Sequence, residues 1–307
     1  MNDKFVLPQG IRVGHAHDDY TGVTCIIADK AIGGVSVRGG APGTRETDML
    51  RAEKSQGHTD AIVLSGGSAY GLEASCGVSD YLREKGIGFD VGGGKIVPLV
   101  AQAILFDLND PKEYHYPDKA MGYKAAQNAK TEVVFGSVGA GRGATVGKFL
   151  GPQNCCKSGI GGATLCFGDV FVSAIVAVNA LGDVVDHNTG KILAGAKLNG
   201  EFFGVAKALT DGRFEQIMRM QMQAQAHTNT TIGCVMTNAA LDKTEVNKLA
   251  AVSHDGLAMS IRPVHTDMDG DTMFALSKGD KKAEMSVLMA LAAEATALAI
   301  ENAVKAA

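Results

Sequence analysis

Two threonines, Thr230 and Thr231, stand directly before the apolar run Ile232 to Met236 in HTNTTIGCVMTNAAL (227–241). Such a run predicts a buried strand, so one hydroxyl is presented at a strand edge. Downstream, HTDMDGDTMFAL (265–276) sets Asp267, Asp269 and Asp271 beside a second apolar stretch. Like charges this close are costly unless they have partners or work, and they shift at least one pKa. The presented hydroxyl could serve as a nucleophile, but alone it is a weak signal. Taken singly, Thr230 reads as a β-branched strand residue and Asp269 and Asp271 as a solvated turn.

Other motifs fail on spacing. GRGATVGK (141–148) would need Gly at Arg142 and Ser or Thr at Phe149 to be a phosphate loop. SGGSAYG around Ser68 lacks the glycine that a nucleophile elbow needs at Tyr70, and reads as a strand-to-helix turn. DMDGD (267–271) has its glycine misplaced for a calcium loop, whose twelfth position falls on Lys278. His15 and His17 have no third ligand in sight. Six cysteines form no C-x-x-C pair and mostly sit in apolar runs, which predicts small buried hydrophobes. No metal and no cofactor is assigned.

The elements that must position these residues follow from periodicity. Val23 to Ala28, Ala61 to Leu64, Val170 to Val178 and Ile232 to Met236 predict buried strands. Ser68 to Lys85, Tyr123 to Ala129, Lys243 to Met259 and the Ala-rich tail Lys281 to Ala307 predict helices. Asp242, with Glu245 three residues on, is the cap of the third. The tail is apolar on most faces, which predicts burial between other elements or a subunit contact.

NTTI before a strand, HDGLA (254–258), RPVHT (262–266) and DGDTMFA (269–275) together resemble the L-aminopeptidase/D-esterase family. RVGH (12–15), GGSAYGLEA (66–74), PDKAMGY (117–123), GAGRGATVGK (139–148) and KSGIG (157–161) extend the likeness nearly end to end, closest in pattern to the 6-aminohexanoate-oligomer hydrolases. The resemblance implies a chain that cuts itself between Asn229 and Thr230, giving residues 1–229 and 230–307 of one interlocked domain, with Thr230 as N-terminal nucleophile. It implies that Asp269 and Asp271 orient and polarise that nucleophile and its amine. It matches Lys148 to a lysine of the nylon-oligomer enzymes and Asn179 to an oxyanion donor. In self-cleavage a hydroxyl attacks its preceding carbonyl, an ester forms and water resolves it.

Substrate choice turns on three more positions. The β-peptide aminopeptidases carry a glutamate for the substrate amine where this chain has Phe135, and a phenylalanine cannot neutralise an ammonium. The nylon-oligomer enzymes carry a tyrosine where it has Phe106. Tyr70 is the third pocket candidate, although the Gly-Gly turn and helix already account for Tyr70 and Glu73. The expected activity is therefore hydrolysis of linear ω-amino-acid amides such as 6-aminohexanoate oligomers. Aminopeptidase or amidase action on small peptides, amino-acid amides or esters comes second. An ornithine-acetyltransferase-like acyl transferase would carry an A-T-M-L context that is missing, and a non-enzymatic scaffold would show no cleavage.

By resemblance the fold is α/β, a four-layer αββα sandwich of the N-terminal-nucleophile type. A chain of 307 residues, 46% hydrophobic, can bury such a core. Net charge −4 and pI near 6.1, with scattered basic residues, argue against nucleic acid. MNDKFVLPQGIRVG lacks a signal-peptide pattern and no window reaches spanning length, so a cytoplasmic protein without a membrane partner is expected. The resemblance adds a homo-oligomer, such as a tetramer.

Overall fold

The computed structural model describes residues 4–110, 112–212 and 229–307. Its long strands are β1 (Arg12–His17), β2 (Gly22–Val37), β3 (Thr59–Ser65), β4 (Val100–Ile104), β5 (Ile160–Phe167), β6 (Val170–Asn179), β7 (Thr230–Ala239) and β8 (Thr272–Lys281). Its long helices are α1 (Ala74–Glu84), α2 (Lys119–Gln127), α3 (Lys243–Ser260) and α4 (Met285–Lys305).

One strand belongs to two sheets. The first half of β2 pairs with β1 and β3, and its second half pairs with β8. Between the halves Asp29 and Lys30 take positive φ of 41° and 65°, which turns the strand from one sheet into the other. The first sheet runs β1-β2-β3-β4 and ends at the short strand Thr44–Arg45, while the second runs β5-β6-β7-β8-β2.

Alternation along the strands sorts side chains into three apolar layers. Val23, Cys25, Ile27, Ala61 and Val63 face α1 and α2 through Val78, Leu82 and Ala125. Ile26, Ile62 and Leu64 meet Ile175, Ile232, Cys234 and Phe274 between the sheets. Val172, Val176, Val235 and Met273 face α3 and α4 through Leu249, Leu257, Leu288 and Ala292. Helix, sheet, sheet, helix is the four-layer order expected. Each fully buried Val, Leu, Ile, Phe or Met among them contributes roughly 1.5–3 kcal/mol by burial. Phe274, fully buried in the middle layer, is the costliest single truncation at about 3–5 kcal/mol.

The expected strands all form, but the helix boundaries move. Residues 68–73 make a 3-10 turn rather than the start of α1, and within it Gly71 lies against the Gly66 carbonyl with no room for a Cβ. Helix α2 starts at Lys119, where the Asp118 side chain accepts the Met121 N–H. Lys281 still pairs with Ala239, so α4 begins only at Met285. Asp242 and Glu245 form the reciprocal capping box on α3.

Two readings are corrected. Helix α4 is long and apolar enough to cross a bilayer, yet it packs on β5 and β6 with Leu288, Ala292, Ala295 and Ile300 buried, as a core helix does. Of the six free cysteines only Cys25 and Cys234 are buried, while Cys166 is exposed on β5. Helix α4 is also clamped by His187, whose ring meets Glu294 at 2.7 Å and Glu301 at 2.5 Å. Lys305 closes on Glu301 at 2.9 Å. Burial opposes charge on His187, but the two carboxylates outweigh it and raise its pKa.

Candidate active site

Thr230 opens β7 and lies opposite Asn179, the last residue of β6, in the antiparallel ladder. On its other side β8 runs parallel to β7, with Ile232 level with Thr272. Parallel strands start at the same end, so the residues before them arrive together and Asn229 bridges Asp269. His227 and Thr228 of the same motif lie outside the described residues.

The peptide bond between Asn229 and Thr230 is gripped at its carbonyl. The Gly270 N–H donates to the Asn229 oxygen at 3.1 Å, and the Thr230 hydroxyl donates to the same oxygen. Thr230 and Asn229 are each only 3% exposed. A Cβ at Gly270 would stand 2.7 Å from Thr230 Oγ1 and 2.8 Å from the Ala41 carbonyl, so only glycine brings this amide so close.

Asp271 and Asp269 are both buried but differently held. Asp271 Oδ1 accepts the Thr231 N–H at 2.7 Å, and its Oδ2 takes the His265 N–H at 3.2 Å and the His265 ring Nδ1 at 2.8 Å. His265, itself at φ 55°, meets the His254 ring edge to face at 4.8 Å. Burial lowers the His254 pKa to about 4, so this ring is neutral at pH 7 and its Nε2–H donates to the Ser36 carbonyl at 3.0 Å. Asp269 Oδ2 accepts from Thr266 N at 2.9 Å and from the Thr266 hydroxyl at 2.6 Å. Burial, and then the neighbouring Asp271, raise the Asp269 pKa.

On the opposite flank Lys148 follows Gly147, whose φ of 74° reverses the chain, and its Nζ donates to the Asn179 carbonyl at 3.0 Å. Burial lowers Lys148 to about 7 against the pull of Cys155, Asp107 and Asp269. The Asn179 side chain accepts from Thr145 N at 3.1 Å and donates to the Phe106 carbonyl at 2.8 Å. The structure thus gathers Thr230, Asn229, Asp269, Asp271, Lys148, Asn179 and the Phe106 backbone at one place.

Two candidates are not brought into that group. Phe135 packs edge to face on Phe5 at 5.0 Å and covers Gly162. Gly162 pairs with Ile175, which pairs with Cys234, four residues along β7 from Thr230. Tyr70 is 56% exposed and clusters with Tyr114 and Tyr116. Sequence reasoning passed over Gly270 and His265. The glycine between two aspartates and the histidine of RPVHT were the available signals.

The comparisons with known proteins agree with this architecture. Peptidase family S58 matches residues 8–307. The chain belongs to that family. An uncharacterized aminopeptidase of Mycobacterium bovis is 40% identical over 291 residues, covering 88% of this chain and 80% of that protein. The 6-aminohexanoate-oligomer endohydrolase of Paenarthrobacter ureafaciens is 34% identical over 275 residues, covering 87% and 73%. In fold, this S58 chain is similar to the L-aminopeptidase D-Ala-esterase/amidase of Ochrobactrum anthropi, with TM-score 0.70, 17% identity and coverage of 100% and 88%. That structure is described as a variant of the Ntn hydrolase fold. As an S58 peptidase the protein is a hydrolase acting on amide bonds.

Proposed function

We propose that Thr230 is the nucleophile of a self-processing amide hydrolase that acts on linear ω-amino-acid amides, 6-aminohexanoate oligomers among them. The observation that carries it is the Asn229–Thr230 peptide, whose carbonyl oxygen is held by the Gly270 N–H beside the Thr230 hydroxyl. Thr230 Oγ gives its proton to the Asp269–Asp271 pair and bonds to the Asn229 carbonyl carbon. The oxyanion that forms is stabilised by Gly270 N–H. The C–N bond breaks as the nitrogen is protonated, and water hydrolyses the resulting ester to a carboxylate and a free threonine hydroxyl.

In turnover the same hydroxyl attacks the substrate amide and the freed α-amine of Thr230 carries the proton. Asn179 donates to the substrate oxyanion, and Lys148 supplies positive charge beside it. The pieces 1–229 and 230–307 stay together because β7 and β8 lie between β6 and β2. A homo-oligomer in the cytoplasm is part of the same reading. Support for oligoamide substrates comes from the nylon-oligomer relative. The mycobacterial aminopeptidase relative favours the second reading, small peptides and amino-acid amides or esters.

The test is intact mass of the wild type beside Thr230→Ala, followed by assay of both substrate types. Two fragments meeting at Asn229–Thr230 in the wild type alone, with activity on oligoamides, is the expected result. One full-length mass in both proteins would sink the nucleophile assignment, and cleaved protein idle on both substrate types would sink the substrate class.

A further inference from the structure

The two acids beside Thr230 meet partners of different kinds. The hydrogen bonds to Asp271 come from nitrogen: the Thr231 N–H on Oδ1 at 2.7 Å, and the His265 N–H and ring Nδ1 on Oδ2 at 3.2 and 2.8 Å. Asp269 Oδ2 takes the Thr266 N–H at 2.9 Å and the Thr266 hydroxyl at 2.6 Å. A hydroxyl turns from donor to acceptor when the acid facing it is protonated, whereas an amide N–H only donates. Asp271 therefore keeps its contacts as an anion, and Asp269 is able to keep the Thr266 hydroxyl with a proton on.

His265 is the side chain that sets this difference. Its φ of 55° is a left-handed conformation uncommon outside glycine, and such strain gathers where a group has to be aimed. The ring packs edge to face on His254, and its Nε2 is enclosed with no hydrogen-bond partner among the described residues. A proton on that nitrogen would be a buried donor without an acceptor. The ring proton therefore belongs on Nδ1, against Asp271.

We infer that His265 is a positioning residue whose Nδ1–H pins Asp271 against the Thr231 amide as the charged member of the pair, so that the proton leaving Thr230 rests on Asp269. This rests on the reading of Thr230 as nucleophile for the origin of the proton, though not for the His265–Asp271 bond. In the attack the Thr230 O–H bond breaks, Oγ bonds to the carbonyl carbon and the carbonyl electron pair moves to its oxygen. The proton passes to Asp269 and later to the leaving nitrogen, with Asp271 unchanged throughout. Burial, and then Asp271, raise the Asp269 pKa against the Thr266 and Leu181 donors. The other charged or titratable groups are His254, Lys148, which faces Asp269, and Arg38, which faces His254 and is itself held by the Ala251 carbonyl and Asp255.

His265→Gly and His265→Asn both accept a left-handed backbone, but only asparagine returns a side-chain N–H near the place of Nδ1. Aspartate carboxyls are followed across pH by carbon-13 NMR in labelled protein, with Asp271→Asn to assign the signal. In His265→Gly the Asp271 titration should move up by on the order of one pH unit, and in His265→Asn it should return most of the way. The acid limb of kcat should move up with it at unchanged KM, because both acids have to be ionised before one takes the Thr230 proton. In wild type labelled at the histidine ring nitrogens, His265 should carry its proton on Nδ1, a measurement that decides the matter even if His265→Gly does not fold. An unmoved titration in folded His265→Gly, an equal shift in both variants, or a wild-type ring protonated on Nε2 alone would overturn the inference. Because the NMR signals need no substrate, a protein idle on every amide that still shows the shift would defeat the hydrolase reading and leave the role of His265 standing.

Discussion

On one flank of Thr230 stand Asp269, Gly270 and Asp271, neighbours in sequence that parallel pairing of β7 and β8 carries to the site together. On the other flank Lys148, Asn179 and Phe106 come from three separate segments, and the Asn179–Phe106 contact alone spans 73 residues. The first flank is a turn in which backbone and side chain grip the Asn229–Thr230 peptide itself. The second is an assembly in which side chains from distant segments bond to one another's backbone. Asn179 sits across the ladder from Thr230, whereas the Gly270 N–H holds the Asn229 carbonyl. Under the proposed function, the contrast predicts a division of labour in which the acidic flank serves self-cleavage and turnover alike, and the lysine flank serves chiefly turnover.

Thr230→Ala is the largest test of that division, since both activities end in a single uncut and inactive chain on a mass spectrum. Asp271→Asn and Asp269→Asn should slow cleavage and turnover together, each by about 10²–10⁴. Loss of turnover with normal cleavage would place the acids on the substrate side only. Asn179→Ala should reduce kcat by roughly 10²–10³, the worth of one oxyanion donor, while fragments still form. If fragments vanish too, the two flanks are not separable. Gly270→Ala brings a methyl against Thr230 Oγ1 and the Ala41 carbonyl, so it should leave an intact chain that also melts clearly earlier.

The smallest effect belongs to a site remote from both flanks. His187 gains stability from Glu301 and Glu294, and its folded pKa is raised. That contribution is full below the unfolded value of about 6.5 and fades as pH climbs through the folded one. Glu301, whose pKa is lowered by His187 and Lys305 against its burial, adds its share above the ordinary carboxylate range. His187→Gln should therefore lower stability by about 1–3 kcal/mol near pH 6 and by less near pH 9, with fragment formation untouched. An equal loss at both pH values would mean that packing, not charge, fastens α4.

What could be read beforehand follows the same contrast. The acidic turn, the threonines before β7 and the Asp242 cap are local patterns, and local patterns survive in a linear string. Lys148 and Asn179 became visible only through family resemblance, because nothing near either residue announces its partner. Gly270 acts through its backbone and His265 through a left-handed turn. Neither has a periodic signature. The late start of α4 was hidden because Lys281 prolongs a ladder with Ala239, a tertiary pairing that overrides an Ala-rich helical preference.

The parallel register of β7 and β8 also sets where the protein can tolerate change. Side chains alternate along a strand, so a one-residue insertion near Thr230 would turn the hydroxyl toward the opposite layer. The same insertion around Ala240, beyond the far end of β7, would be absorbed before α3 begins at Lys243. Homologous chains that differ in length should carry their gaps at that far end, and a grafted loop or tag has its safest entry there.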